Sequence, residues 1–118
     1  MRDEPLAIEI AAGSGPDITI LRLRGPLTLG TLFPLQDAFR AQTSPTVILD
    51  LSEVPYLDSA GLGSIMMLHV SAEKNGRHLL LASVSERVMS LIRMTRVDTA
   101  LRTFASVEAA EQGVGASR

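Results

Sequence analysis

A chain of 118 residues has the length of one domain, and a hydrophobic content of 46% with a mean hydropathy of +0.23 predicts a folded protein with an apolar interior. A net charge of −2, scattered arginines and only 3% aromatic residues argue against a nucleic-acid-binding surface. The absence of cysteine excludes disulfides and thiolate metal sites, and no apolar run approaches the roughly 20 residues that span a bilayer. We therefore expect a cytoplasmic protein without membrane insertion.

Two strands are predicted at the start of the chain. Leu6, Ile8 and Ile10 alternate with alanine or glutamate, which is the period of a strand with one buried face. Residues 18–24 alternate in the same way. Because a segment rich in glycine and proline separates the two runs, residues 13–17 are predicted to form the turn of a hairpin.

A helix and a buried strand are predicted next. Leu32, Leu35 and Phe39 recur at the spacing of an amphipathic helix, and Pro34 fits only the first turn of that helix. Residues 46–51 are almost continuously apolar, which is typical of a strand covered on both faces. We expect this strand to be central in the sheet.

A longer helix is predicted over residues 59–74, since the segment lacks proline and ends at Asn75-Gly76. Apolar residues occur on several sides of this helix. We therefore expect it to pack against more than the sheet, with Met66 and Met67 both in the core.

The remaining segments alternate between strand and helix. Residues 79–82 and 101–104 are predicted strands, a helix starts at Ser85, and a short helix covers residues 107–112. This order predicts a single α/β domain over residues 1–112, with a mixed, mostly parallel sheet of four to five strands and about four helices. Residues 113–118 are expected to form a flexible C-terminal tail.

The junction at Asp58-Ser59 is the candidate functional site. Both residue types are favoured helix N-caps, so the simplest interpretation is a capped helix. The free N–H groups of a helix N-terminus also favour an anion such as a phosphate. Since ligands of open α/β sheets meet the carboxyl ends of parallel strands, we expect this junction and Thr28 to lie at the same edge.

Gly61 and Gly63 stand in the first turns of the predicted helix, where each glycine costs about 1 kcal/mol relative to alanine. Such positions indicate that another backbone comes close to the helix. That backbone could belong to the same domain or to a partner protein.

Two segments resemble the signature of the STAS family, namely VILDLS at residues 47–52 and YLDSAGLG at residues 56–63. The resemblance extends from about residue 6 to residue 110. This family includes bacterial anti-sigma factor antagonists and the tails of sulfate transporters. The resemblance implies a binding module without a cofactor rather than an enzyme.

In antagonists of this family, the serine at the position of Ser59 is phosphorylated by an anti-sigma factor that is itself a serine kinase. The resemblance implies that the unphosphorylated chain binds the anti-sigma factor and frees the sigma factor, that phosphorylation releases the partner, and that a phosphatase resets the cycle. The partner-binding residues that it implies are Thr28, Asp58, Ser59, Ala60, Gly61, Leu62 and Gly63.

Two alternatives remain open. Thr28 stands where antagonists often carry an acidic residue, which slightly favours a non-switching STAS module in a signalling scaffold or a soluble subunit of a membrane transporter complex. A phosphotransfer receiver using Asp50 or Asp58 is disfavoured, since the acidic pair and the late-strand lysine of such proteins are missing. His69 and His78 lack a paired ligand, so no metal site is predicted.

Overall fold

A five-stranded sheet forms the centre of the computed structural model, which describes residues 5–116. The strands lie in the order β1-β2-β3-β4-β5; β1 is antiparallel to β2, and all other neighbours are parallel. The predicted hairpin and the mixed, mostly parallel sheet are thus confirmed. The strands are β1 (Ala7–Ala12), β2 (Ile18–Arg24), β3 (Thr46–Glu53), β4 (His78–Ala82) and β5 (Arg102–Phe104).

A helix connects each pair of parallel strands, as the alternating sequence pattern predicts. The first three helices share one large core with the sheet, and the last helix packs on the opposite face over a smaller core. No helix within residues 5–116 is long and apolar enough to cross a membrane. The helices are α1 (Leu32–Arg40), α2 (Ser59–Lys74), α3 (Glu86–Met94) and α4 (Val107–Ala116), with a 3-10 turn at Val97–Thr99.

Strand β3 occupies the middle of the sheet and is buried on both faces. Val47, Leu49 and Leu51 point into the large core, and Ile48 points into the core beneath α4. Each of these side chains is no more than 1% exposed. The continuous apolar run therefore reflects helical cover on both sides, as predicted.

Two predicted core positions are wrong. Met67 is 69% exposed, because α2 turns Leu62, Ile65 and Leu68 toward the sheet and leaves the opposite side of the helix uncovered. Ile10 is 54% exposed, because β1 is the edge strand and only its first part is covered by the large core.

The final helix also continues beyond its predicted end. Helix α4 runs to Ala116, so residues 113–116 are helical rather than a tail, and residues 117 and 118 lie outside the described residues. Gly113 lets the ring of Phe104 approach the helix, since a Cβ there would fall 2.5 Å from a ring carbon. Val114 packs against the smaller core. The contact with Phe104 explains why this position within the helix holds a glycine.

Candidate functional site

The loops that follow β2 and β3 lie side by side at the carboxyl edge of the sheet. Leu27 and Leu57 form an isolated parallel bridge beyond the ends of the two strands. The N–H of Leu27 donates to the carbonyl of Tyr56 at 3.2 Å, and the N–H of Asp58 donates to the carbonyl of Leu27 at 3.2 Å. The two loops therefore continue the pairing of β2 with β3, and the neighbourhood of Thr28 and Asp58 is confirmed.

The carboxylate of Asp58 connects the two loops to α2. Its Oδ1 accepts a hydrogen bond from the N–H of Gly61 at 2.8 Å, which makes Asp58 the N-cap of the helix. Its Oδ2 accepts a second hydrogen bond from the N–H of Leu29 at 3.1 Å. One side chain thus fixes the start of α2 and the path of the loop after β2.

Ser59 is the first residue of α2, and its side chain is exposed. The first turn of the helix contains no acidic residue, and the N–H groups at this end favour a negative charge. The nearest carboxylate along the chain, that of Asp58, already accepts two backbone hydrogen bonds. The start of α2 at Ser59 is therefore exposed, and the carboxylate next to it is engaged by the backbone.

The two glycines of α2 serve different needs. A Cβ at Gly61 would lie 2.1 Å from the carbonyl oxygen of Leu27, so only glycine allows the helix to touch the loop after β2. A Cβ at Gly63 would meet nothing within 4 Å, and Gly63 is exposed. The close approach at Gly61 is thus internal, whereas Gly63 leaves open space on the surface beside Ser59.

Thr28 belongs to a buried turn beneath the site. Its side chain is only 6% exposed, and its N–H donates to Oγ1 of Thr31 at 2.9 Å. The hydroxyl of Thr31 in turn donates to the carbonyl of Pro26 at 2.8 Å. Thr28 therefore helps to set the shape of the loop after β2, whereas the side chain of the next residue, Leu29, is exposed on its surface.

The structure brings all the predicted partner-binding residues to this junction, with unequal exposure. Ser59 and Gly63 are exposed, and Asp58 and Ala60 are partly buried. The remaining three, Thr28, Gly61 and Leu62, are buried and support the surface from below.

An exposed apolar surface on the side of α2 that carries Ser59 is not predicted from the sequence. Met67 and Val70 lie on the side of α2 that carries Ser59 and Gly63, because residues three or four apart share one side of a helix. We call the following four side chains the apolar rim: Leu29 (64% exposed), Phe33 (58%), Met67 (69%) and Val70 (48%). The spacing of Met67 and Val70 along α2 is visible in the sequence, but sequence alone cannot distinguish a surface methionine from a core methionine.

A groove between α1 and α2 continues from the apolar rim. It has a volume of about 330 Å³, and Met67 contributes to its wall. Arg77 at the far end holds its guanidinium over the ring of Phe39 and donates to the carbonyls of Gln42 and Ser44. The surface near Ser59 thus continues along α2 into a groove of mixed character, whose polar lining residues are Gln36, Arg40, Ser71 and Arg77.

The other candidate aspartate lies on the opposite face of the sheet. Asp50 accepts a hydrogen bond from the N–H of Ser52 and lies 3.5 Å from the guanidinium of Arg22, with its side chain 12% exposed. Nearby, the hydrogen bond and charge of Glu53 raise the pKa of Arg24. These groups pair with one another across β2 and β3, and they form no open acidic pocket of the receiver type.

Neither His69 nor His78 belongs to a group of metal ligands within residues 5–116. Nδ1 of His78 lies 4.0 Å from a carboxylate oxygen of Glu73, and His69 is half-buried on α2. Within the described part of the chain, no three His, Cys, Asp or Glu side chains are grouped closely enough to hold a metal ion.

A family model for the STAS domain matches residues 9–110. A Thermotoga maritima protein assigned as an anti-sigma factor antagonist superposes with a TM-score of 0.79 at 22% identity, covering 91% of this chain and 93% of that one. A sulfate transporter family protein from Wolinella succinogenes gives a TM-score of 0.71 at 23% identity, covering 88% and 91%.

SpoIIAA, an anti-sigma factor antagonist from Bacillus, is a third similar structure. Its unphosphorylated form gives a TM-score of 0.72 at 17% identity, covering 92% of this chain and 97% of that one. A phosphorylated form of SpoIIAA has also been solved. At these identities the likeness shows a shared fold, and both antagonists and a transporter-family protein share it.

Proposed function

Since the chain belongs to the STAS family, we propose that it is an anti-sigma factor antagonist controlled by phosphorylation of Ser59. In its unphosphorylated form it binds an anti-sigma factor that has serine kinase activity, and so frees a sigma factor for transcription. Phosphorylation of Ser59 releases the anti-sigma factor. The observation that carries this proposal is the exposed position of Ser59 at the start of α2, on the side of the helix that also exposes Met67 and Val70.

The physical chemistry of the junction supports such a switch. A phosphate adds about −1.5 to −2 charges near neutral pH, and the N-terminus of α2 tolerates this charge in the free protein. A partner packed over the apolar rim would have to bury that charge close to Asp58. Desolvation and like-charge repulsion then oppose binding, and each loss of about 1.4 kcal/mol weakens the complex tenfold.

We propose that the protein acts by binding its partner and not by catalysis. Asp58 is engaged in two backbone hydrogen bonds, and the exposed side chains near Ser59 are apolar, so the site offers a contact surface rather than reactive groups. We propose that it acts in the cytoplasm without contacting nucleic acid itself. A phosphatase completes the cycle by removing the phosphate from Ser59.

Phosphate transfer to Ser59 can be tested directly by mass spectrometry. After incubation with the cognate anti-sigma kinase and ATP, we expect one phosphate, located on Ser59. The Ser59→Ala variant should gain none, although Ser71 remains exposed on the same helix. An unmodified Ser59 in the presence of a demonstrably active kinase would rule out the switch.

A non-switching module in a signalling scaffold or a transporter complex is the second candidate function. Thr28 in place of an acidic residue and the shared fold of the Wolinella transporter-family protein favour it. Affinity purification with identification of the bound protein distinguishes the two candidates. An ATPase with a histidine-kinase-type fold supports the antagonist, and a membrane transporter subunit supports the alternative.

A further inference from the structure

An arginine at the start of α3 lies beside the loop that carries Ser59. Strand β4 is parallel to β3 and ends at Ala82, so α3, which begins at Glu86, starts at the same edge of the sheet as α2. The guanidinium carbon of Arg87 lies 5.2 Å from the centroid of the Tyr56 ring. Because Tyr56 and Ser59 belong to one loop, the surface around Ser59 also includes Arg87.

The charge of Arg87 is not neutralised by the described part of the chain. None of the carboxylates within residues 5–116 lies within ion-pair distance of its guanidinium, and the adjacent Glu86 lies 4.0 Å from Arg93 instead. Two arginines near the end of β2, Arg22 and Arg24, are both paired with carboxylates. Arg87 is exposed and therefore keeps its donors available for an anion of another molecule.

The position of Arg87 does not favour its own helix. Arg87 stands in the first turn of α3, where the macrodipole favours a negative charge and opposes a positive one. Stacking on Tyr56 nevertheless holds the planar guanidinium at this edge of the sheet. An oriented and unpaired cation at this place is better suited to a contact between proteins, where arginine and tyrosine are enriched, than to the stability of α3.

The exposure of Arg87 favours a carboxylate of a protein over a small free anion. A free anion held by one exposed guanidinium would compete with water and salt for that single contact. A carboxylate on a protein docked over Leu29 and Ser59 is also held in place by the rest of the interface. One contact with the fork of the guanidinium then adds affinity and fixes the orientation of the partner.

We propose that Arg87, oriented by Tyr56, binds an aspartate or glutamate side chain of the anti-sigma factor. The interface then spans the segments that follow three neighbouring strands, with Leu29 after β2, Ser59 after β3 and Arg87 after β4. This inference rests on the proposed function, because it names a further contact of the same complex.

Calorimetric titration of the anti-sigma factor with Arg87→Gln tests the role of the charge. We expect about tenfold weaker binding at about 50 mM NaCl and a smaller difference at about 500 mM, where salt screens the contact. Arg87→Lys should bind with intermediate affinity, because it keeps the charge and loses the fork. The matched control Arg96→Gln removes an exposed arginine beyond the other end of α3 and should bind as the unaltered protein does.

A zero-length cross-link identifies the group that position 87 contacts. A carbodiimide activates a carboxylate and joins it to a nearby amine as an amide, while the carbodiimide leaves as its urea. Lys74 is the only lysine of the chain, so Arg87→Lys adds one side-chain amine at the proposed contact. Mass spectrometry should find this amine joined to an aspartate or glutamate of the anti-sigma factor. Arg96→Lys should give no such cross-link.

Three results would overturn the contact. They are full affinity of Arg87→Gln, equal affinity of Arg87→Gln and Arg87→Lys, and the absence of a cross-link from position 87 in a complex that Arg87→Lys forms. If the same complex is still released by phosphorylation of Ser59, the proposed function stands and only this contact is wrong. A chain that binds no anti-sigma factor contradicts both.

Discussion

The carboxylate of Asp58 accepts a hydrogen bond from the backbone N–H of Leu29 at 3.1 Å, across a separation of 29 residues in the chain. The same carboxylate caps α2 through the N–H of Gly61. Because one side chain holds both loops, the exposed side chain of Leu29 stays close to Ser59. The geometry of the candidate interface thus depends on a residue that is itself only partly exposed.

Replacement of Asp58 by alanine should destabilise the fold by about 2 kcal/mol. Loss of an N-cap costs about 1 kcal/mol, and loss of the hydrogen bond to Leu29 costs a similar amount. Asp37→Ala is the matched control, since Asp37 is 80% exposed and has only a surface ion pair with Arg40. Urea denaturation should show a change within about 0.5 kcal/mol for the control. Equal stability of the two variants would contradict the clamping role of Asp58.

The two glycines of α2 should respond in opposite ways to the same substitution. Gly61→Ala forces a Cβ against the carbonyl of Leu27 and should destabilise the protein by about 2 kcal/mol or more. Gly63→Ala meets open space and should stabilise the helix by up to about 1 kcal/mol. Thermal or urea unfolding of both variants measures the difference. A neutral Gly61→Ala would show that the contact with Leu27 is not as described, and a destabilised Gly63→Ala would show that the space around Gly63 is not open.

The apolar rim should matter for binding but not for folding. Met67→Ala removes a largely exposed side chain, so stability should change by less than about 0.5 kcal/mol. Its affinity for the anti-sigma factor should fall about tenfold, because apolar side chains near the centre of an interface carry much of the binding energy. Met94→Ala, which alters a methionine that is 75% exposed on α3, is the control. Calorimetric titration showing equal affinity for both variants would remove Met67 from the interface.

The order of strands and helices could be predicted from the sequence, because the patterns behind it are each typical of one kind of structure. The apolar run of β3 requires cover on both faces, and Asp58 before an apolar segment favours a helix cap. The neighbourhood of the loops after β2 and β3 followed from parallel pairing alone.

The features that could not be predicted depend on what lies opposite a residue in space. A methionine such as Met67 is common both in protein cores and on binding surfaces. Only the orientation of α2 on the sheet shows that Met67 is exposed. Gly61 and Gly63 look identical in sequence, but Leu27 approaches only the first of them. In the sequence, Gly113 resembles a residue that ends a helix. In the structure it lies inside α4, where it contacts the ring of Phe104.

The most direct test of the proposed switch compares two forms of one protein binding one partner. The unmodified chain and the chain carrying phosphate on Ser59 are titrated into the anti-sigma factor by calorimetry, with Ser59→Ala as the control for loss of the hydroxyl. We expect Ser59→Ala to bind like the unmodified chain and the phosphorylated form to bind at least tenfold more weakly, a loss of about 1.4 kcal/mol. Equal affinity of all three forms would contradict it.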